Sequence, residues 1–136
     1  MYKTIIVPVD VGALDKGERI LTKASTLLDD GGEIILVNVV EEVPGYLAID
    51  LPTDLIEKAG KEAMDRLATL KQKTGINART FIRRGPAARE IIALANENNA
   101  DLIIVASHKP DLSNYLIGAT ADRVVRHSKC SVLVDR

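Results

Sequence analysis

Hydrophobic residues in this chain come in short, dense runs, and between the runs they recur every three or four positions. The dense runs lie in 4–9 (TIIVPV), 33–40 (EIILVNVV), 101–106 (DLIIVA) and 131–134 (SVLV). They are rich in β-branched residues and too short for buried helices, which predicts strands covered on both faces. Pro8 lacks an N–H, so pairing is expected to stop near it on at least one side. A fifth run, 79–84 (RTFIRR), is shorter and more polar and is expected near a sheet edge.

The intervening stretches carry helical spacing. Residues 15–29 place Ile20, Ala24, Leu27 and Leu28 on one face, with Gly31 and Gly32 as the stop. The 41–51 stretch reads as irregular, with Pro44, Gly45 and Pro52 as breakers. Thr53 is then a candidate N-cap for a long helix with Ile56, Ala59, Ala63, Leu67 and Leu70 along its apolar stripe and Gly75 at its end. Gly85 and Pro86 turn the chain, Pro86 suiting the first helical position, and Ala88, Ile91, Ile92 and Ala95 line the next inner face. A short helix over 119–127 precedes the last strand.

This alternation, βαβαβαβαβ, predicts a single-domain open α/β fold: a parallel sheet, right-handed crossovers and helices on both faces. No internal repeat or linker interrupts it. Ligands of such sheets bind beyond the carboxyl ends of the strands, where the winding reverses. The most hydrophobic strands, 4–9 and 101–106, are expected at the centre. The crevice between them would be edged by Asp10 on one side and by Ser107, His108 and Lys109 on the other, with Gly118 opening a helix nearby. Loop N–H groups and a helix N-terminus attract anions, so a nucleotide is the first ligand to consider.

Composition narrows the choice. At 136 residues the chain suits one domain with a sizeable core. Aromatics are 3% of it and Trp is absent, so the core is aliphatic and offers no stacking platform for single-stranded nucleic acid. The net charge of −1 provides no basic field for DNA or RNA. Cys130 stands alone, which excludes an internal disulfide and a cysteine-held zinc. No apolar run reaches membrane-spanning length, and the opening run is too short for a signal peptide. A soluble, cytoplasmic protein is expected, without nucleic-acid or membrane partners.

Four local patterns, in order along the whole chain, resemble the universal stress protein family: KTIIVPVD; LVNVVE; RRGPAAREIIALANENNADLIIVASH; and LIGATADRVVRHSKCSVLVDR. The resemblance implies a five-stranded parallel sheet in the order 3-2-1-4-5. It implies an adenine nucleotide, ATP or else ADP or AMP, with Mg²⁺ where phosphates require it and no protein metal ligands. It carries the nucleotide contacts to Pro8, Val9, Asp10 and Val39 on the adenosine side. On the phosphate side it carries them to Ala106, Ser107, His108, Lys109, Gly118, Ala119 and Thr120, with Ser131 and Val132 from the last strand. It also implies a homodimer through residues 131–134, with a tetramer as the further assembly.

The phosphate loop departs from the family's glycine-rich pattern. Ala106 and Lys109 hold the first two glycine positions, eight residues separate Lys109 from Gly118, and Ala119 replaces the hydroxyl residue, with Thr120 one place later. Lys109 offers charge where glycine offers freedom, so the expectation remains a short-loop, ATP-binding stress-response regulator. The alternative is a nucleotide-free interaction module on the same fold. A receiver domain is excluded, because Arg83, Arg84 and Gly85 stand where its phosphorylatable Asp belongs.

Each candidate also has an ordinary structural role. Asp10 is a loop-opening cap, Val9 and Val39 are core, and Gly118 makes a turn. Arg123, Arg126, His127 and Lys129 offset a helix dipole, and Cys130 is a structural thiol. No catalytic triad and no P-loop is present, so slow ATP hydrolysis is the most that catalysis would amount to.

Overall fold

The computed structural model describes residues 1–41, 53–107 and 118–136. Among these residues five strands and four helices alternate: β1 (Tyr2–Pro8), α1 (Leu14–Leu27), β2 (Leu28–Val40), α2 (Thr53–Thr74), β3 (Arg79–Arg84), α3 (Ala87–Glu97), β4 (Leu102–Ala106), α4 (Ala119–His127) and β5 (Ser131–Asp135). The strands form one parallel sheet in the order β3-β2-β1-β4-β5. The irregular stretch expected over 41–51, with its Pro44 and Gly45, lies almost wholly outside the described residues.

Alternation along the central strands splits the core into two layers. Ile5, Val7, Val9, Ile34, Leu36, Leu102 and Ile104 face α1 and α2, where Ile20, Leu21, Ala24, Leu67 and Leu70 meet them. Ile6, Ile35, Val37, Ile103 and Val105 face α3 and α4, against Ile91, Leu94, Ala95, Ala121 and Val124. Strands covered on both sides favour apolar residues on both faces, which is why the buried middles of β1, β2 and β4 read as largely apolar runs. β3 lies at an edge, as its polarity predicted, and β5 is the other edge.

One carboxylate holds the amino end of the central pair. Asp101 accepts the backbone N–H of Lys3 at 2.9 Å and of Thr4 at 3.0 Å, while its own N–H donates to the Thr4 carbonyl at 3.0 Å. Above this bracket β1 and β4 pair as Ile5 with Leu102 and Ile6 with Ile103.

Two expectations are corrected. The first helix does not run to Asp29 or stop at glycine: it ends at Leu27, and Leu28 is already extended (φ −80°, ψ 133°). Gly31 and Gly32 belong to the start of β2, where the register to β1 shifts between Tyr2 and Thr4. Gly31 has φ +78°, and a Cβ on Gly32 would lie 2.8 Å from the Lys3 carbonyl oxygen. The glycines serve an irregular strand start and its close approach to β1. Pro86, likewise, is the N-cap of α3 (φ −62°, ψ 126°) and not its first helical residue.

Candidate functional site

The winding reverses between β1 and β4: from β1 the chain goes to β2 on one side, and β4 lies on the other. Each crossover helix runs antiparallel to its strands, so helix N-termini gather at the sheet's carboxyl end. Continuing the register Ile6 with Ile103 brings Val9 level with Ala106 and Asp10 level with Ser107. The start of α1 rises from the loop after β1, and α4 is the next described element after β4.

The β1–α1 loop is built from three side chain–backbone bonds on three elements. Asp10 is exposed, and its Oδ1 accepts the Gly12 N–H at 2.9 Å. The Val9 carbonyl receives the Asn38 side-chain amide at 2.9 Å, while the Val9 N–H donates to the Val37 carbonyl at 2.8 Å. Arg66 Nη1, from α2, donates to the Val11 carbonyl at 2.9 Å. Asp10 therefore has the expected loop-capping role and still presents an exposed carboxylate at the crevice.

Across the crevice, Ala106 and Ser107 are half-buried, and the Ser107 N–H donates to the Asp135 carbonyl at 2.8 Å. His108 and Lys109 lie outside the described residues. Gly118 is the N-cap of α4 with φ −52° and ψ 154°, and among the described residues no side chain caps the helix start. That conformation is open to any residue, so glycine here is not required by the backbone. Ala119 is exposed and Thr120 half-buried.

The sheet places the remaining candidates differently. Pro8 ends β1 half-buried, and Val9 is only 4% exposed, with both its N–H and its carbonyl bonded to β2. Val39 is half-buried near the carboxyl end of β2 and packs on the α3–α4 side. Ser131 and Val132 pair with Leu102 and Ile103, at the amino end of β4. A strand rises about 3.3 Å per residue, which leaves Ser131 roughly 13 Å short of the level of Ala106. Parallel pairing starts β5 at the far edge of the sheet from the crevice, so these two residues do not join the others.

Three residues around the site were not among the candidates. Asn38 is 8% exposed and interrupts the apolar run IILVNVV, which is its signal in the sequence. Arg66 has no such signal, since it is one cation among several on a solvated helix. Asp135 is 5% exposed and its carboxylate takes Arg19 Nε at 2.9 Å and Lys23 Nζ, both from α1. Burial pushes its pKa up, but the hydrogen bonds from Lys23 and Arg19 outweigh that and hold it below the ordinary carboxylate value. It ties β5 to α1, and through its main chain it fixes where Ser107 leaves the sheet.

Among the described residues no group of His, Cys, Asp and Glu is placed to hold a metal. None of their helices is long and apolar enough to cross a membrane.

Comparison with known proteins agrees with this geometry. The whole chain, residues 1–136, matches the universal stress protein family. It is 34% identical to Universal stress protein G of Escherichia coli O157:H7 over the full length of both chains. It is 28% identical to Universal stress protein MJ0531 of Methanocaldococcus jannaschii, over 98% of this chain and 82% of that one. Among solved structures, that of the hypothetical protein MJ0577 superimposes with a TM-score of 0.80 at 27% identity, covering 98% of this chain and 95% of its own. UspA of Lactobacillus plantarum does so at 0.71 and 23%, covering 99% and 98%. With its full length matched and its sheet in the expected order, this chain belongs to the universal stress protein family.

Proposed function

We propose that this protein binds an adenine nucleotide, with ATP as the leading ligand, in the crevice between β1 and β4, and acts as a dimeric stress-response regulator whose state the nucleotide reports. The observation that carries the reading is the reversal of winding between β1 and β4. A carboxylate loop ends β1, and across the winding reversal lies the start of α4, which no described side chain caps. Asp10 suits hydroxyl groups of a ribose, because an exposed carboxylate accepts hydrogen bonds. The first N–H groups of α4 suit phosphate oxygens. Thr120 adds a hydroxyl near them, and the family resemblance adds Ser107, His108 and Lys109 as phosphate contacts. Mg²⁺ would then be held by phosphates and water, the usual arrangement for this cation. A universal stress protein of 22% identity has been solved in complex with cAMP, which supports a nucleotide as the ligand class to test.

The test is a thermal shift with and without Mg-ATP. A ligand at one hundred times its dissociation constant stabilises by about 2.7 kcal/mol, which is several degrees for a domain of this size. Gly118→Asp makes the control sharp: its backbone angles suit any residue and Asp is a preferred N-cap, so the variant keeps its fold and sets a carboxylate against the phosphates. We expect a shift in the native protein and none in G118D. No shift at millimolar ATP, with no nucleotide released from denatured protein, favours the nucleotide-free interaction module instead.

A further inference from the structure

We propose that Asn38 and Arg66 are positioning residues for the nucleotide cleft, holding the β1–α1 loop in its ligand-ready shape before any ligand arrives. The proposal rests on the nucleotide reading above. It starts from an oddity of β2, where a side chain of low strand propensity, 8% exposed, stands between Val37 and Val39 in an otherwise apolar run. Burying an amide there costs free energy unless it is bonded, and a Val or Leu would fill the space without that cost.

The bond it makes is specific. The Val9 N–H continues the parallel ladder to the Val37 carbonyl at 2.8 Å. In a regular ladder the Val9 carbonyl would next take a β2 main-chain N–H. Instead it takes the Asn38 side-chain amide at 2.9 Å. The ladder is thus extended by a side chain at the residue where β1 leaves the sheet for Asp10. Two residues on, Arg66 reaches from α2 to the Val11 carbonyl at 2.9 Å. Val9 and Val11 bracket Asp10, so the two donors fix the main chain on both sides of the carboxylate, and Gly12 N–H fixes its side chain.

A clamp of this kind raises affinity without touching the ligand. If the loop held its ligand-ready shape only a tenth of the time, the apparent dissociation constant would rise about tenfold. Asn38→Leu keeps the volume and removes the donor. Arg66→Met keeps the aliphatic stem and, being on the surface, does not threaten the fold. Asn38→His and Arg66→Lys restore a donor at each place.

The experiment combines amide hydrogen exchange of residues 9–13 in the ligand-free protein with Mg-ATP titration, on the full chain, well below the melting temperature. We expect N38L and R66M each to speed exchange at Gly12 and Ala13 about tenfold and to weaken ATP by a similar factor, with N38H and R66K recovering most of both. Unchanged exchange in both variants overturns the clamp. Faster exchange with unchanged affinity overturns its positioning role and leaves two structural hydrogen bonds. A native protein that binds no Mg-ATP overturns the nucleotide reading itself, and the exchange result then decides the clamp separately.

Discussion

At the scale of single residues, the most consequential polar groups are carboxylates that the fold has already committed. Asp101 accepts two main-chain N–H groups from β1. Burial raises its pKa, but the hydrogen bonds from Lys3 and Thr4 lower it by more, so it lies below the ordinary Asp value. A carboxylate with a depressed pKa in the folded state contributes stability above its unfolded pKa of about 3.9 and loses that contribution as pH falls through the folded value. Asp135 follows the same sign. We expect Asp101→Asn, which turns one acceptor into a donor facing donors, to cost about 1–2 kcal/mol at neutral pH. Urea unfolding at pH 7 and pH 3 checks this, and the variant should lose less stability than the native protein between the two. The same scale holds the chemistry of the site. Asp10 was legible as a strand-end acid, and Asn38 as a polar residue in an apolar run. Arg66 and Asp135 were not, because their partners come from elements distant in sequence.

At the scale of elements, hydrophobic spacing predicted the type of every described strand and helix, and the errors fall at ends. β2 begins five residues earlier than its apolar run because Leu28 turns extended as soon as α1 ends. The pattern could not show this: Leu27 and Leu28 suit the last turn of a helix as well as the first positions of a strand. The pair Gly31–Gly32 suits a helix stop equally well. Packing decided it, since the stretch from Leu28 pairs with β1 and Gly32 sits against the Lys3 carbonyl. We expect Gly32→Ala to destabilise by about 1–3 kcal/mol, the range for forcing atoms into a filled space, because its Cβ would meet a backbone oxygen at 2.8 Å. Thermal denaturation measures the loss. A helix stop would have tolerated alanine far better.

At the scale of the molecule, the two sheet edges differ. β3 carries Arg79 and Arg83, which flank Phe81 and pair with Glu33 and Glu97. Charge of this kind discourages strand addition. β5 presents half-buried Val132, Leu133 and Val134. The Asp135 carbonyl accepts the Ser107 N–H, so the main-chain groups of Asp135 point to β4 and those of Val134 point outward. This supports the proposed homodimer through residues 131–134. Val134→Pro removes an outward N–H and leaves the β4–β5 ladder intact. Sedimentation should find the native protein dimeric and the variant monomeric, with unchanged circular dichroism. A native protein that sediments as a monomer at micromolar concentration would refute the assembly.

Local sequence determined the alternation of elements, the two-faced burial of β1, β2 and β4 and the polar edge at β3. These follow from spacing and from the rule that a parallel sheet is covered on both sides, and they need no knowledge of distant neighbours. The motif resemblance supplied the strand order. Only the tertiary structure decided where Leu28 to Gly32 belong, that Ser131 and Val132 start at the wrong end of the sheet for the crevice, and that Asn38, Arg66 and Asp135 hold the loops around it. Each of those depends on register or on a hydrogen bond between residues far apart in the chain, and a bond of that kind leaves no periodicity to read.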